Sequence, residues 1–200
     1  MTHDPFAHKA DSFDTNPVRV DNVASIADAI RAAIPLDPTM HLVDFGSGTG
    51  LLLERIAPYV GRITAVDVSP SMNAQLEAKF GQLACPVELH AIDLVATDLP
   101  GRYDGVISSM TMHHIADVAA LFGKFRAMLK PGGFIAIADL DAEDGSFHSE
   151  DTGVFHNGFE REAIAALAAA AGFADVVVRA ASVVRKPQRD YPVFLLTARA

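Results

Sequence analysis

The sequence predicts an α/β fold built on a doubly wound, mostly parallel sheet. Five short apolar segments alternate with helix-like segments between residues 40 and 139, which is the pattern of strands joined by crossover helices. These segments are apolar nearly throughout, as expected of strands that helices cover on both faces. A glycine-rich stretch follows the first strand directly, at the sheet edge where such folds bind ligands.

The remaining elements are predicted in order along one domain. A first helix begins near Asp21 or Asn22 and ends before Pro35,. Residues 1–16 are polar and expected to be mobile, and residues 140–158 are expected to form an acidic loop. The predicted strands are 40–45, 62–68, 87–92, 103–109, 134–139, 176–184 and 193–198, and the later helices are 51–57, 70–81, 118–130 and 160–171.

Composition argues against several classes of protein. The 200 residues suit one ordinary domain,. A net charge of −9 would repel phosphates, so we expect no nucleic-acid partner. The single cysteine, Cys85, rules out an intrachain disulfide,. No signal peptide or transmembrane segment is recognisable, so we expect a cytoplasmic monomer or homodimer without a membrane partner. One basic cluster is most simply a solvated face; it comprises Arg179, Arg185, Lys186 and Arg189.

The segment LVDFGSGTG, from Leu42 to Gly50, combines a strand end, a glycine loop and a helix start. Glycines there permit a tight turn and a close approach of backbone to ligand. Dinucleotide sites favour G-x-G-x-x-G, whereas this loop reads G-x-G-x-G after Asp44. A carboxylate at that place suits an amino-acid ammonium better than a pyrophosphate. S-adenosylmethionine (SAM), which joins an adenosine to an amino acid, fits this pattern.

Two further acids follow the next two predicted strands. Asp67 ends the second strand, 21 residues after Gly46, and Asp93 with apolar Leu94 ends the third. The first acid can bind both ribose hydroxyls, and the second can accept a hydrogen bond from the adenine amino group. Because parallel strands end at one sheet edge, Asp44, Asp67 and Asp93 are expected to face one ligand. Taken singly, each acid could be a helix cap or a solvated loop residue.

These segments together resemble class I SAM-dependent methyltransferases. LVDFGSGTG resembles motif I of that family, and AVDVSPSM, AIDL, YDGVISSMTMHHI and LKPGGFIAIADLD resemble its later motifs, in the same order over about residues 40–141. The likeness is to small bacterial members related to the ubiquinone and menaquinone methylases. It implies a Rossmann-like, seven-stranded sheet with an antiparallel last strand and helices on both faces.

The resemblance also implies roles for individual residues. It divides the chain into an N-terminal lid and helix (1–38), a cofactor-binding half (39–140) and a substrate-side part (141–200), with Phe13 and Asp14 beside the lid helix. The glycine loop would hold the methionine part of SAM, with Ser109 beside it. The full cofactor set is Asp44, Gly46, Ser47, Gly48, Gly50, Asp67, Val68, Met72, Asp93, Leu94 and Ser109.

His113 and His114 follow the fourth strand, which places one of them near the transferred methyl group. A neutral imidazole there can act as general base for the acceptor. The simpler alternative is that one histidine packs against or caps the helix that begins after Asp117. Both are therefore candidate catalytic residues, His113 slightly ahead.

The acidic loop offers candidate residues for binding a small-molecule acceptor. Carboxylates and imidazoles can also bind metals, but serines stand where metal-dependent methylases of this fold carry an acid, so we expect no metal. A cationic or amine-bearing acceptor would suit these acids. A NAD(P)-binding oxidoreductase and a non-catalytic SAM-binding module remain alternatives. The loop candidates are Asp139, Asp141, Glu143, Asp144, His148 and His156.

Overall fold

A seven-stranded sheet forms the centre of the protein in a computed structural model, which describes residues 4–148, 150 and 153–200. The strands are β1 (His41–Phe45), β2 (Arg62–Val66), β3 (Val87–His90), β4 (Tyr103–Ser109), β5 (Leu129–Leu140), β6 (Ala174–Arg185) and β7 (Asp190–Arg199). Their order is β3-β2-β1-β4-β5-β7-β6. β1 to β5 are parallel, and β7 runs antiparallel to both neighbours. The predicted fold is confirmed.

The helices cover both faces of this sheet. They are α1 (Pro17–Ala33), α2 (Leu51–Ile56), α3 (Pro70–Glu77), α4 (Val118–Met128) and α5 (Arg161–Ala170). One apolar core lies between the sheet and α1, α2 and α3, and a second lies against α4 and α5. Leu42 packs into the first core and its neighbour Val43 into the second, since successive strand residues point to opposite faces.

Strand order reverses between β1 and β4, which lie side by side at the middle of the sheet. The crevice outside the carboxyl ends of the strands at such a switch point is the usual ligand site of doubly wound folds. The segments leaving β1 and β4 are the glycine loop and a 3₁₀ turn, Met112–His114. Among the described residues, no helix has the length and apolar character needed to cross a membrane.

Three local expectations are wrong. α1 begins at Pro17, because the Asn16 side chain accepts a hydrogen bond from the Arg19 N–H at 3.2 Å and proline suits a first helical position,. Residues 4–16 form turns and a 3₁₀ helix that pack on the domain. Lys130 belongs to β5 rather than to α4, and its ammonium lies 2.8 Å from the Asp104 carboxylate.

Candidate active site

One cavity of about 580 Å³ lies at the carboxyl edge of the sheet, over the β1–β4 switch point. Its floor is the glycine loop and the ends of β1, β2 and β4. The N-terminal segment and residues 113–115, 147, 148, 150 and 184–187 form other walls. The structure brings every predicted site residue except Gly50 to this wall. They are Asp44, Gly46, Ser47, Gly48, Asp67, Val68, Met72, Asp93, Leu94, Ser109, His113 and His114.

The glycine loop has a backbone that side chains would disrupt. Gly46, Gly48 and Gly50 have φ values of +67°, +53° and +88°, which L-residues rarely adopt. A Cβ at Gly46 would lie 2.2 Å from the Thr111 side chain, whereas one at Gly48 would meet nothing within 4 Å. Gly48 therefore leaves open space on the cavity side. Gly50 instead caps α2 and packs against Leu76, where a Cβ would come within 2.6 Å.

Asp44 is a buried carboxyl group facing this loop. It is 1% exposed, and its Oδ2 has no hydrogen-bond partner among the described residues. Burial, with a smaller contribution from the nearby charge of Asp67, raises the pKa of Asp44 to about 8. The Ser47 and Ser109 hydroxyls, also on the cavity wall, are likewise buried without a partner in the described part of the chain. Native proteins rarely leave such groups unsatisfied, so a polar, cationic ligand group fits here.

Asp67, at the end of β2, connects the glycine loop to α3. Its Oδ2 accepts a hydrogen bond from the Gly48 N–H and its Oδ1 accepts one from the Ser69 N–H, each at 2.8 Å. Burial raises the pKa of Asp67, although these bonds oppose the shift and the charge of Asp4 adds to it. The carboxylate is thus oriented at the cavity wall beside the loop.

An apolar slot extends the cavity past Asp67. Leu94 and Met72 are almost fully buried, whereas Val68 leaves 65% of its surface exposed within reach of a ligand. Asp93 is exposed beside them, and its Oδ1 accepts a hydrogen bond from the Val95 N–H at 2.8 Å. A flat aromatic group with a polar edge fits such a slot.

A histidine–aspartate pair stands on another part of the wall. The His113 Nδ1 lies 2.7 Å from the Asp139 Oδ1, and the two side chains are 2% and 0% exposed. The same carboxylate accepts hydrogen bonds from the His113 N–H at 3.2 Å and the Leu140 N–H at 2.7 Å. Asp139 ends β5, which pairs with β4, so the topology brings it to the turn that carries His113. With Nδ1 donating to the carboxylate, Nε2 is an acceptor.

Two more histidines surround this pair. The ring centroids of His114 and His148 lie 4.3 Å and 5.0 Å from that of His113. Burial, together with the charges of His113, His114 and Lys186, lowers the pKa of His148 to about 4, and the charge of Asp139 opposes this shift. His148 is therefore neutral at pH 7. No group of three or more metal-ligating side chains occurs in the part of the chain that the structure describes.

Most acids of the 139–158 loop do not face the cavity. Asp141 binds the Arg161 guanidinium through two 2.7 Å contacts, and Asp144 contacts Arg189 at 3.1 Å. Glu143 accepts a hydrogen bond from the Phe147 N–H at 3.0 Å. Of the loop candidates, His148 lines the cavity, and Asp139 contacts the cavity-lining His113. The other candidates do not line the cavity; they are Asp141, Glu143, Asp144 and His156.

The N-terminal segment, which the family resemblance assigns to a lid with Phe13 and Asp14 beside it, contacts the cavity wall through hydrogen bonds that the sequence did not predict. Asp4 accepts hydrogen bonds from Ser71, with Oγ at 2.7 Å and N at 3.1 Å, and from the Ser69 Oγ at 2.9 Å. Asp14 accepts a hydrogen bond from the Thr49 Oγ1 at 2.5 Å, directly in the glycine loop. Phe6, Lys9 and Phe13 line the cavity between these two anchors. The first turn of α3 carries no acidic residue of its own. Since a carboxylate stabilises a helix N-terminus, this was the one signal in the sequence that a carboxylate from another segment could cap α3.

The chain belongs to a methyltransferase domain family, whose profile matches residues 21–178. An uncharacterized methyltransferase of Schizosaccharomyces pombe is 34% identical over 135 residues, covering 60% of this chain and 48% of that protein. A ubiquinone biosynthesis O-methyltransferase of Xanthomonas campestris is 29% identical over 134 residues, covering 66% of this chain and 53% of that protein. The chain spans about half the length of these relatives. The predicted resemblance to this family is confirmed.

Solved structures share the fold over nearly the whole chain. A chain from the complex between the Haloferax volcanii Trm112 methyltransferase activator and a methyltransferase aligns with a TM-score of 0.78 and 20% identity, covering 100% of this chain and 99% of that one. The DhpI complex with S-adenosylhomocysteine (SAH) aligns with a TM-score of 0.73 and 20% identity, covering 97% and 92%. The Rossmann-like methyltransferase fold is therefore shown.

Proposed function

We propose that the protein is a SAM-dependent methyltransferase that acts on a hydroxyl group of a small molecule. One observation carries this proposal: a single cavity joins the strand-end acids and the glycine loop to the buried His113–Asp139 pair. The first set suits a cofactor that combines adenosine with an amino acid, and the pair suits removal of a proton from an acceptor. Membership of a methyltransferase family supports the same activity and counts against a dinucleotide oxidoreductase.

The cofactor end fits SAM group by group. The unpartnered carboxyl oxygen of Asp44 would pair with the amino-acid ammonium, and the open space at Gly48 would admit the amino-acid backbone. Asp67 would accept hydrogen bonds from the ribose hydroxyls, and Asp93 with Leu94 would hold the adenine. Ser47 and Ser109 offer unsatisfied hydroxyls to the methionine part. When bound, SAM supplies a methyl group made electrophilic by a sulfonium.

The acceptor end then has two tasks, which are to orient the acceptor and to remove its proton. His113 would take the hydroxyl proton on Nε2 and so make the acceptor oxygen nucleophilic towards the methyl group that bound SAM would supply. Asp139 is a positioning residue, because its 2.7 Å contact fixes the tautomer and stabilises the imidazolium that forms. His114 lies beside this pair as a second candidate.

The closing N-terminal segment would act as a lid over the bound cofactor. Asp4 and Asp14 anchor it to the α3 start and to the glycine loop, so closure would exclude water from the reacting atoms. A monomeric or homodimeric state is part of this proposal. A cytoplasmic location and a small-molecule acceptor are parts of this proposal.

Calorimetric titration of the purified protein with SAH, SAM and NAD tests the cofactor assignment. We expect micromolar binding of SAH and SAM and no binding of NAD, and loss of SAH binding in Asp67→Ala. Asp98→Ala, a surface acid paired with Lys124, is the matched control and should bind as the wild type does. Binding of NAD alone, or unchanged SAH affinity in Asp67→Ala, would overturn the assignment. Binding of SAH without turnover of any hydroxyl acceptor would favour a non-catalytic SAM-binding module.

A further inference from the structure

Four basic side chains line the cavity, and we call them the basic rim: Lys9, Arg19, Arg185 and Lys186. They come from the N-terminal segment, α1 and the end of β6, so only folding brings them together. Among the described cavity-lining residues, Glu150 is the single acid outside the cofactor end, and it contacts Lys9 at 2.8 Å. The chain as a whole has a net charge of −9, so its average composition does not account for a cluster of cations on one cavity wall; the fold brings them together there.

Aromatic rings hold the rim in place. The Lys186 ammonium lies 3.9 Å from the ring centroid of Phe147 and donates a hydrogen bond to its carbonyl oxygen. The Arg19 guanidinium lies 3.8 Å from the ring centroid of Phe13 and donates to its carbonyl oxygen at 2.8 Å. Burial lowers the pKa of Lys186; Glu143 opposes this shift, and the charges of Lys9 and Arg19 add to it. A bound anion would relieve that mutual repulsion.

The rim is continuous with the proposed base. The Phe147 ring lies 4.8 Å from that of His148, whose ring in turn lies 5.0 Å from that of His113. The Lys186 ammonium and the His113 imidazole therefore line one cavity and are linked by successive ring contacts, so one small molecule can meet both. Apolar residues between them would contact its body; they include Phe6, Phe13, Met110, Ile115 and Phe147.

We propose that the acceptor is an anionic hydroxylated small molecule, whose carboxylate the basic rim binds while its hydroxyl reaches His113. This proposal rests on the proposed function for the transfer itself. It replaces the expectation of a cationic acceptor, which assumed that the acids of the 139–158 loop face the cavity. Three of the loop candidates, Asp141, Asp144 and Glu143, instead bind Arg161, Arg189 and the Phe147 N–H, and Glu150, which does line the cavity, contacts Lys9 of the rim.

Matched pairs of acids and esters test the charge preference. The probes are 4-hydroxybenzoate, 4-hydroxyphenylacetate and 4-hydroxycinnamate, each compared with its methyl ester, titrated by calorimetry into protein saturated with SAH. We expect at least one acid to bind ten-fold or more tightly than its ester. Lys186→Gln should weaken that acid at least ten-fold and leave the ester unchanged, and Lys186→Arg should restore most of the affinity. Lys124→Gln, which removes a surface cation outside the cavity, should change neither.

The results separate this inference from the cofactor assignment. If SAH fails to bind, the proposed function fails before the acceptor question arises. If SAH binds, two outcomes overturn the anionic acceptor: no acid binds better than its ester, or Lys186→Gln weakens acid and ester alike. Retained SAH affinity in Lys186→Gln shows that the variant is folded.

Discussion

The substitution Asp44→Asn tests whether the carboxyl group near the end of β1 lowers the stability of the ligand-free protein while it increases the affinity for a ligand. Asp44 is 1% exposed, and burial, together with the charge of Asp67, raises its pKa to about 8. An acid whose folded-state pKa lies above its unfolded value takes up a proton on folding. Its contribution to native stability therefore falls as pH rises from about 4 to about 8.

The size of the effect follows from these two pKa values. At pH 7 the solution is about three pH units above the unfolded pKa of about 3.9, and each unit costs about 1.36 kcal/mol, so the carboxyl group costs roughly 4 kcal/mol. An amide of the same shape does not titrate and avoids that cost. One kcal/mol shifts the Tm of a chain of this size by about 2–4 °C. We therefore expect ligand-free Asp44→Asn to melt roughly 5 °C or more above the wild type at pH 7.

Scanning calorimetry between pH 4 and pH 8 measures this difference, which should shrink towards zero near pH 4. Asp93→Asn, an exposed acid on the same cavity wall, is the control and should gain no stability. Adding SAH should reverse the order, because the ammonium of SAH pairs with a carboxylate and not with an amide; Asp44→Asn should lose at least ~100-fold in affinity. An Asp44→Asn protein that is no more stable than the wild type at pH 7 would refute the reasoning.

Three other predictions concern the same cavity. His113→Gln should lower kcat by about 100-fold and abolish the acid limb of the pH–rate profile. Asp139→Asn should lower kcat by about 100-fold and move that limb to lower pH, because the base remains but loses its counter-charge. His114→Gln should cost less than about ten-fold, and loss of kcat with an unchanged profile in His113→Gln would leave His113 a structural residue. Gly48→Ala should weaken SAH binding by about ten-fold, since alanine is strained at φ +53° and fills the open space,. An unchanged affinity by calorimetry would contradict the proposal that this space admits the amino-acid backbone of the cofactor. Asp14→Asn should speed SAH dissociation several-fold in stopped-flow measurements, and an unchanged rate would argue against a lid.

The sheet and the cofactor end were predictable because both depend on local patterns. A buried strand can be recognised from its own run of apolar residues, so β4 was predicted with the bounds that the structure gives it, Tyr103–Ser109. The strand-end acids then share one sheet edge whatever the loops do, since parallel topology fixes where strands end. Gly50 shows the limit of this argument: its φ of +88° was expected from the motif, but its contact with Leu76 places it in the core rather than at the ligand.

The acceptor end was not predictable from the same patterns. Residues 4–16 are polar, which suggested mobility, yet Asp4 and Asp14 bind partners 67 and 35 residues away along the chain. The role of Asp139 required knowing that β5 lies beside β4. The acids of the 139–158 loop could not be excluded from the cavity until their pairing with Arg161 and Arg189 was seen.

The charges around His113 explain why loss of the Asp139 carboxylate should impair catalysis more than loss of either neighbouring histidine. Taking a proton from the acceptor creates an imidazolium within a buried site, which is costly unless a counter-charge is in contact. The Lys186 ammonium of the basic rim opposes that charge, since it adds to the burial and histidine charges that lower the pKa of the neighbouring His148. His148, neutral at pH 7, adds no positive charge beside the base. Asp139, at 2.7 Å and 0% exposed, supplies the counter-charge. Loss of its negative charge in Asp139→Asn should therefore impair catalysis more than removal of either neighbouring imidazole.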